Sequence, residues 1–236
     1  MNFTEQDIKQ IEQKGLHVEQ VKAQIELFET GIPYTTIVEA ATKGSGIMAL
    51  NVDDIQQYVS LFKEKRNDLD LVKFVPASGA ATRMFKFLFK FLKEFDPEND
   101  TLESFIATKN TKHLELFVSK IEKFPFYHLV IQKLAENGID FNSLSLRQQI
   151  WQFVNAMLEK DHLNYGNYPK GLLPFHKYSK HHIATAFEEH LFEASLYASN
   201  KTKAKLHFTI SEQYRAMFEA EFSSIKQNVE HETGIN

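Results

Sequence analysis

The chain has 236 residues, of which 43% are hydrophobic and 25% are charged, a balance typical of a globular protein. Its formal net charge of −4 argues against nucleic acid or an anionic membrane surface as a partner. The absence of cysteine excludes disulfides, thiolate zinc sites and a cysteine nucleophile. The N-terminus does not resemble a signal peptide, and no apolar run approaches the roughly 18 residues that span a bilayer. We therefore expect a cytoplasmic protein.

The first part of the chain is predicted to be helical. Thr4 and Asp7 form a capping pattern at the start of a first helix. A second helix is predicted over about 17–29 and a third over 51–66, both from their apolar spacing. Residues 1–69 are therefore predicted to form an N-terminal helical segment.

Two short apolar runs are predicted to be strands. Residues 71–76 and 205–210 are rich in β-branched and aromatic side chains, which favours buried strands. Small residues follow the first strand at 77–81, and apolar positions at 84–95 then cover most of a helix. Because a helical crossover separates the two strands, we expect them to pair in parallel.

The predicted fold class is α/β and dominated by helices. Residues 70–84 plus 166–236 are predicted to form a partial βαβ unit, and residues 85–165 a large helical insertion within it. Two strands make a poor parallel sheet, since such sheets usually have several strands covered on both faces. We therefore expect the chain to be part of a longer protein and to pack against a missing C-terminal half.

The loop VPASGAATRM at 75–84 is the first chemically informative motif. A strand that ends in small residues and opens a helix presents free backbone N–H groups to an anion, and Arg83 can hold phosphate oxygens through two parallel hydrogen bonds. The loop is not a Walker motif, it keeps only Gly79 of the three dinucleotide-binding glycines, and it lacks the glycines of a nucleophile elbow around Ser78. Alone, the motif indicates either phosphate binding or a tight packing turn.

A second motif, YPKGLLPF at 168–175, gives the first one more weight. Together they resemble the split signature of the sugar-1-phosphate nucleotidyltransferases, in which the loop G-G-x-G-T-R-[LM] is followed by P-K. The Tyr-Pro-Lys-Gly form is most similar to the UDP-sugar pyrophosphorylase branch. Over its whole length, the chain resembles the N-terminal half of a bacterial family designated domain-of-unknown-function family 4301.

The resemblance implies a nucleotidyltransferase-like domain that binds the phosphates of a nucleotide or sugar nucleotide. In that superfamily the loop backbone holds the nucleotide, while the arginine and the lysine contact the phosphates. Mg²⁺ is expected with the nucleotide, although its usual aspartate ligand is not found in this sequence. The implied catalytic residues are Arg83 and Lys170, and the implied nucleotide-binding residues are Ala77, Ser78, Gly79, Ala80, Ala81, Thr82 and Gly171.

The sequence also departs from the signature. Ser78 and Ala81 replace two of its glycines, the insertion at 85–165 separates its two halves, and no later glycine-rich base-binding segment follows. The chain alone is therefore expected to be inactive. The alternative is a non-catalytic nucleotide-binding or helical protein-interaction module. The histidines and glutamates at 181–193 form no clean ligand face, so no metal site is predicted there.

Overall fold

The computed structural model describes residues 2–109, 111–178, 182–200 and 202–235. The chain divides into two compact units, Met1–Gln57 and Tyr58–Asn236. Helices dominate and the strands are few and short, which confirms the predicted helix-rich α/β class. Within the described residues, no helix has both the length and the apolar character needed to cross a membrane.

The first unit is built from helices and two very short strands. Thr4 accepts a hydrogen bond from the N–H of Asp7, and the Asp7 carboxylate accepts one from the N–H of Thr4, which confirms the predicted cap. Gly31, with φ of 83°, ends the second helix. The elements are α1 (Glu5–Gln13), α2 (Val18–Thr30), β1 (Thr42–Lys43), β2 (Gly46–Ile47) and the start of α3 (Val52–Lys65).

The second unit contains the predicted parallel pair of strands. β3 (Val72–Pro76) pairs with β6 (Lys205–Thr209) in a continuous parallel register. One face of this sheet packs against α9 (Ala186–Tyr197) and α10 (Arg215–Thr233), which together enclose a small apolar core. On the opposite face Phe74 is 62% exposed and stacks on the ring of His207 at 5.1 Å. The sheet is thus covered by helices on one face.

The predicted insertion forms the larger core of the second unit. Its helices bury a set of phenylalanine, leucine and valine side chains around Phe153, Val154 and Met157, which are fully buried. Lys86, Lys90 and Lys93 lie exposed, on the narrow face of the helix that its apolar positions leave uncovered. The helices are α4 (Lys86–Glu94), α5 (Leu102–Lys109), α6 (Lys112–Ser119), α7 (Tyr127–Glu136) and α8 (Leu146–Leu158).

The stretch 168–178, which the sequence predicts to be an ordered loop, contains short regular elements. It forms a 3₁₀ turn at Lys170–Leu172 and then β4 (Pro174–Lys177), which pairs antiparallel with β5 (Ile183–Thr185). Proline is tolerated at the first position of a strand, where its missing N–H is least costly. The sequence predicts the next helix to begin at 184, but β5 occupies that position and α9 begins at Ala186.

Candidate functional site

The two sequence motifs lie side by side in the structure. The N–H of Lys170 donates to the carbonyl of Gly79 at 3.1 Å, and the N–H of Ala81 donates to the carbonyl of Tyr168 at 3.1 Å. These two bonds form an antiparallel bridge between residues 80 and 169, which we call the 80–169 bridge. The fold therefore brings the halves of the split signature into direct backbone contact, despite the helical segment between them.

The loop leaves several backbone donors unused. The last sheet bond runs from the N–H of Ala77 to the carbonyl of Thr209 at 2.9 Å. Beyond it, the N–H groups of Ser78, Gly79 and Ala80 have no acceptor among the described residues, and all three residues are exposed. Consecutive free N–H groups at the carboxyl end of a strand can bind an anion.

The helix after the loop begins later than predicted. The sequence predicts that Thr82 and Arg83 open it, but Ala81–Arg83 form a 3₁₀ turn and α4 begins at Lys86. Ala81 is fully buried, and its carbonyl accepts bonds from the N–H groups of both Met84 and Phe85. Because Ala81 is anchored by Tyr168 as well, the chain turns tightly there, and the free donors belong to the loop rather than to the first turn of α4.

A cavity of about 220 Å³ lies at the carboxyl end of β3. Ala77 and Gly79 of the loop line it together with Lys170 and Gly171, and the rest of its wall is apolar apart from His190. Small-molecule sites usually have volumes of roughly 300–1,000 Å³. The cavity is therefore large enough for a phosphate group but too small for a whole nucleotide.

The other predicted site residues lie outside the wall of this cavity. Arg83 is exposed, and its side chain forms no hydrogen bond or ion pair with the described part of the chain. The hydroxyl of Thr82 donates to the carbonyl of Gly166 at 3.3 Å and so connects the loop with the residues just before the second motif. The residues outside the wall are Ser78, Ala80, Ala81, Thr82 and Arg83.

A histidine that sequence analysis did not assign to the site also lines the cavity. Nδ1 of His190 lies 3.1 Å from Oε2 of Glu193, and Lys73 pairs with the same carboxylate. The hydrogen bond from Lys73, supported by that from His190, lowers the pKa of Glu193. The available signal was the i, i+3 spacing of His190 and Glu193 on the helix that follows the Pro-Lys-Gly motif.

Metal-ligating side chains do not converge in the part of the chain that the structure describes. No three histidine, aspartate or glutamate side chains there are arranged to hold a metal ion. His181, which we considered as a ligand, lies outside the described residues. The expected Mg²⁺ therefore stays an implication of the resemblance.

A buried carboxylate lies at the start of α9. Glu188 is 3% exposed, and Nε2 of His182 lies 3.0 Å from its Oε1. Burial raises the pKa of Glu188, and the pairing with His182 only partly opposes this effect. Thr185 caps α9 by accepting from the N–H of Glu188, and its hydroxyl donates to Glu221 at 2.9 Å.

The raised pKa of Glu188 predicts a pH-dependent contribution to stability. A raised pKa means that the folded state binds more protons than the unfolded state, so the free energy of unfolding falls as pH rises through that pKa. Glu188→Gln removes this fall, and we expect the variant to gain stability relative to wild type as the pH rises above the ordinary glutamate pKa of about 4.3. The gain should be about 1.4 kcal/mol for each tenfold difference in proton affinity between the folded and unfolded states. Urea unfolding, measured from below the ordinary glutamate pKa of about 4.3 up to neutral pH, gives the difference.

The control for this prediction is Glu232→Gln, at an exposed position on α10. Its unfolding free energy should stay parallel to that of wild type at every pH. Parallel curves for Glu188→Gln and wild type would contradict the prediction.

Comparison with known proteins gives one match. A family model described as "Domain of unknown function (DUF4301)" matches residues 4–236. No curated protein and no solved structure matches the chain. The resemblance to sugar-nucleotide pyrophosphorylases has no support from these comparisons and stays a prediction from the two motifs.

Proposed function

The chain belongs to the DUF4301 family, and we propose that its site binds the phosphates of a nucleotide or sugar nucleotide. The domain would be the N-terminal part of an enzyme of the sugar-1-phosphate nucleotidyltransferase type. One observation carries this proposal. The 80–169 bridge aligns the small-residue loop with the Pro-Lys-Gly segment, so that Lys170 and free loop N–H groups lie at the same end of β3.

The available groups suit a polyphosphate. Lys170 lines a cavity of phosphate size, the loop offers three unused N–H donors, and Arg83 presents an exposed guanidinium one turn further on. A phosphate group in the cavity would contact Lys170, while further phosphates outside it would be within the range of the long arginine side chain. Arginine binds phosphate oxygens bidentately and lysine binds them as a point charge.

The proposed reaction needs no covalent enzyme intermediate. An oxygen of the sugar phosphate attacks the α-phosphorus of the nucleoside triphosphate, the new P–O bond forms, and the bond to the β-phosphate breaks. Pyrophosphate leaves with the electron pair of that bond. Positioning and neutralisation of negative charge carry such catalysis, and these are the tasks that Arg83, Lys170 and the loop N–H groups can perform. We expect this chain alone to bind the nucleotide but not to catalyse the reaction.

A thermal-shift screen with UTP, CTP, UDP-sugars and pyrophosphate tests the proposal. A ligand at 100 times its dissociation constant stabilises a protein by about 2.7 kcal/mol. For a chain of this size, that corresponds to an increase in Tm of roughly 5–10 °C. Lys170→Ala and Arg83→Ala should each remove most of this increase, because each deletes a positive charge that the proposal assigns to the phosphates.

Two control variants match these substitutions. Lys90→Ala removes an exposed lysine from α4, and Arg215→Ala removes an exposed arginine that pairs with Glu212 at the start of α10. Both should keep the full increase in Tm. The proposal is wrong if no nucleotide or pyrophosphate raises the Tm of wild type, or if Lys170→Ala and the Lys90→Ala control respond equally.

A protein-interaction module is the second candidate, and a different observation favours it. A groove of about 810 Å³ runs between β6 and α10, lined mainly by apolar side chains that include Leu206, Phe208 and Phe222. Large exposed apolar surfaces often mark contacts with other proteins. If the ligand screen fails, this groove becomes the leading candidate for function.

A further inference from the structure

We propose that His190 binds the ligand phosphate together with Lys170 and that Glu193 is its positioning residue. The inference rests on the proposed function and adds a residue that neither motif contains. His190 lies on α9, some twenty positions after Lys170, and contributes to the wall of the 220 Å³ cavity.

The hydrogen-bond partner of His190 determines which ring nitrogen can meet a ligand. Nδ1 lies 3.1 Å from the Glu193 carboxylate, and an ionised carboxylate only accepts, so Nδ1 carries a proton. Nε2 has no partner among the described residues. A protonated ring therefore has one N–H to donate to a phosphate oxygen, from Nε2.

The orientation of the ring is fixed from two sides. The side chain of Lys73 is only 10% exposed; its ammonium group pairs with Glu193 and donates to the backbone carbonyl of His190 at 3.3 Å. Lys73 therefore makes two contacts that fix the imidazole. One is with the carboxylate of Glu193, which orients the ring, and the other is with the backbone of the helix on which His190 lies. A carboxylate that accepts from the second ring nitrogen of a ligand-binding histidine sets the tautomer and the orientation of the ring.

The charges around the cavity favour an anion. Lys170 and His190 are the titratable residues in its wall, and no carboxylate contributes to that wall within the described chain. The charged groups nearest His190 are Glu193 on its own helix and Lys73 from β3, which pair with each other. Phe208 of β6 faces the ring at 6.3 Å and carries no charge. An occupant with negative charge and the size of a phosphate or diphosphate matches this environment.

Binding of a phosphate group by His190 should depend on pH. Histidine changes its charge between roughly pH 5 and pH 8, and only the protonated ring donates from Nε2. Sulfate is a suitable probe, since its charge does not change in this range, and pyrophosphate tests the ligand class directly. We expect isothermal titration calorimetry to show about tenfold tighter binding of sulfate to wild type at about pH 6 than at about pH 8.

Two substitutions of His190 distinguish the contributions of its two ring nitrogens to binding. His190→Asn keeps an amide donor beside Glu193 and removes Nε2, so its binding should be weak and equal at both pH values. His190→Gln places an uncharged amide near the position of Nε2, and its binding should also lose the pH dependence. His207→Gln is the matched control, because that exposed histidine stacks on Phe74 on the other face of the sheet and should keep the wild-type pattern.

The outcomes distinguish this inference from the proposed function. If His190→Asn and His190→Gln keep the tenfold difference between the two pH values, or if His207→Gln loses it, the inference is wrong. The proposed function still stands in that case, provided that Lys170→Ala abolishes pyrophosphate binding. If wild type binds neither sulfate nor pyrophosphate at either pH, the inference is wrong, and the proposed function is wrong as well if UTP, CTP and the UDP-sugars also leave the Tm unchanged. Circular dichroism confirms that each variant is folded before titration.

Discussion

Replacing Phe153 with alanine is expected to lower the free energy of unfolding by about 3–5 kcal/mol. Phe153 lies on α8 with no solvent exposure, at the centre of the larger core. Its ring stacks on Tyr127 with centroids 5.6 Å apart and contacts Phe117 at 6.3 Å. Alanine would remove these contacts and leave a cavity that the surrounding helices can only partly fill.

The matched control lies on the same helix. Leu146 is 59% exposed, and Leu146→Ala should change the free energy of unfolding by less than about 0.5 kcal/mol. Urea unfolding monitored by circular dichroism measures both variants. A loss below about 1 kcal/mol for Phe153→Ala would show that α8 is not the centre of the core.

Gly166→Ala is expected to lower the free energy of unfolding by about 1–3 kcal/mol and to weaken anion binding as well. A Cβ atom at this position would lie 2.3 Å from Cζ of Phe89 and 3.2 Å from the carbonyl oxygen of Leu158. Phe89 packs against the core and Leu158 belongs to α8, so neither can move away freely. The carbonyl of Gly166 also accepts the hydroxyl of Thr82, and its displacement would shift the loop against the second motif.

Gly79→Ala serves as the control for stability. No heavy atom lies within 4 Å of the position where its Cβ would be placed. Replacement of a glycine at a compatible position usually leaves stability equal or slightly higher. If thermal unfolding shows that Gly166→Ala is as stable as Gly79→Ala, then the approach of Phe89 to this segment is looser than the structure indicates.

Local elements could be predicted from the sequence where side-chain spacing and capping agree. The start of α1 is fixed by hydrogen bonds between Thr4 and Asp7, and the end of α2 is fixed by the conformational freedom of Gly31. Both effects depend on neighbouring residues alone. The strands at 72–76 and 205–209 were recognisable because both are short apolar runs, and their parallel pairing follows from the connection between them. The β4–β5 hairpin was missed because its strands have four and three residues and no clear alternation.

The candidate site could be predicted only in part. The resemblance groups the two motifs in one signature, but the backbone contact between Gly79 and Lys170 could not be predicted, since no local pattern links these residues. The 3₁₀ turn before α4 depends on the burial of Ala81 against distant residues, which a sequence pattern does not reveal. His190 was missed for the same reason. Its role depends on Lys73, a residue of a strand more than a hundred positions earlier, which orients Glu193.

The 80–169 bridge has a kinetic consequence. Its two hydrogen bonds close a chain segment of about ninety residues into a loop, and contacts between such distant residues form late, after local helices. The entropic cost of closing a loop rises slowly with its length, by about 0.6 kcal/mol for each doubling, so the long insertion adds little to the cost of forming the bridge. During refolding, the helices between the motifs should therefore form before the proposed anion site is complete. A bound phosphate should then slow unfolding and leave the refolding rate almost unchanged, because the transition state does not yet contain its binding site.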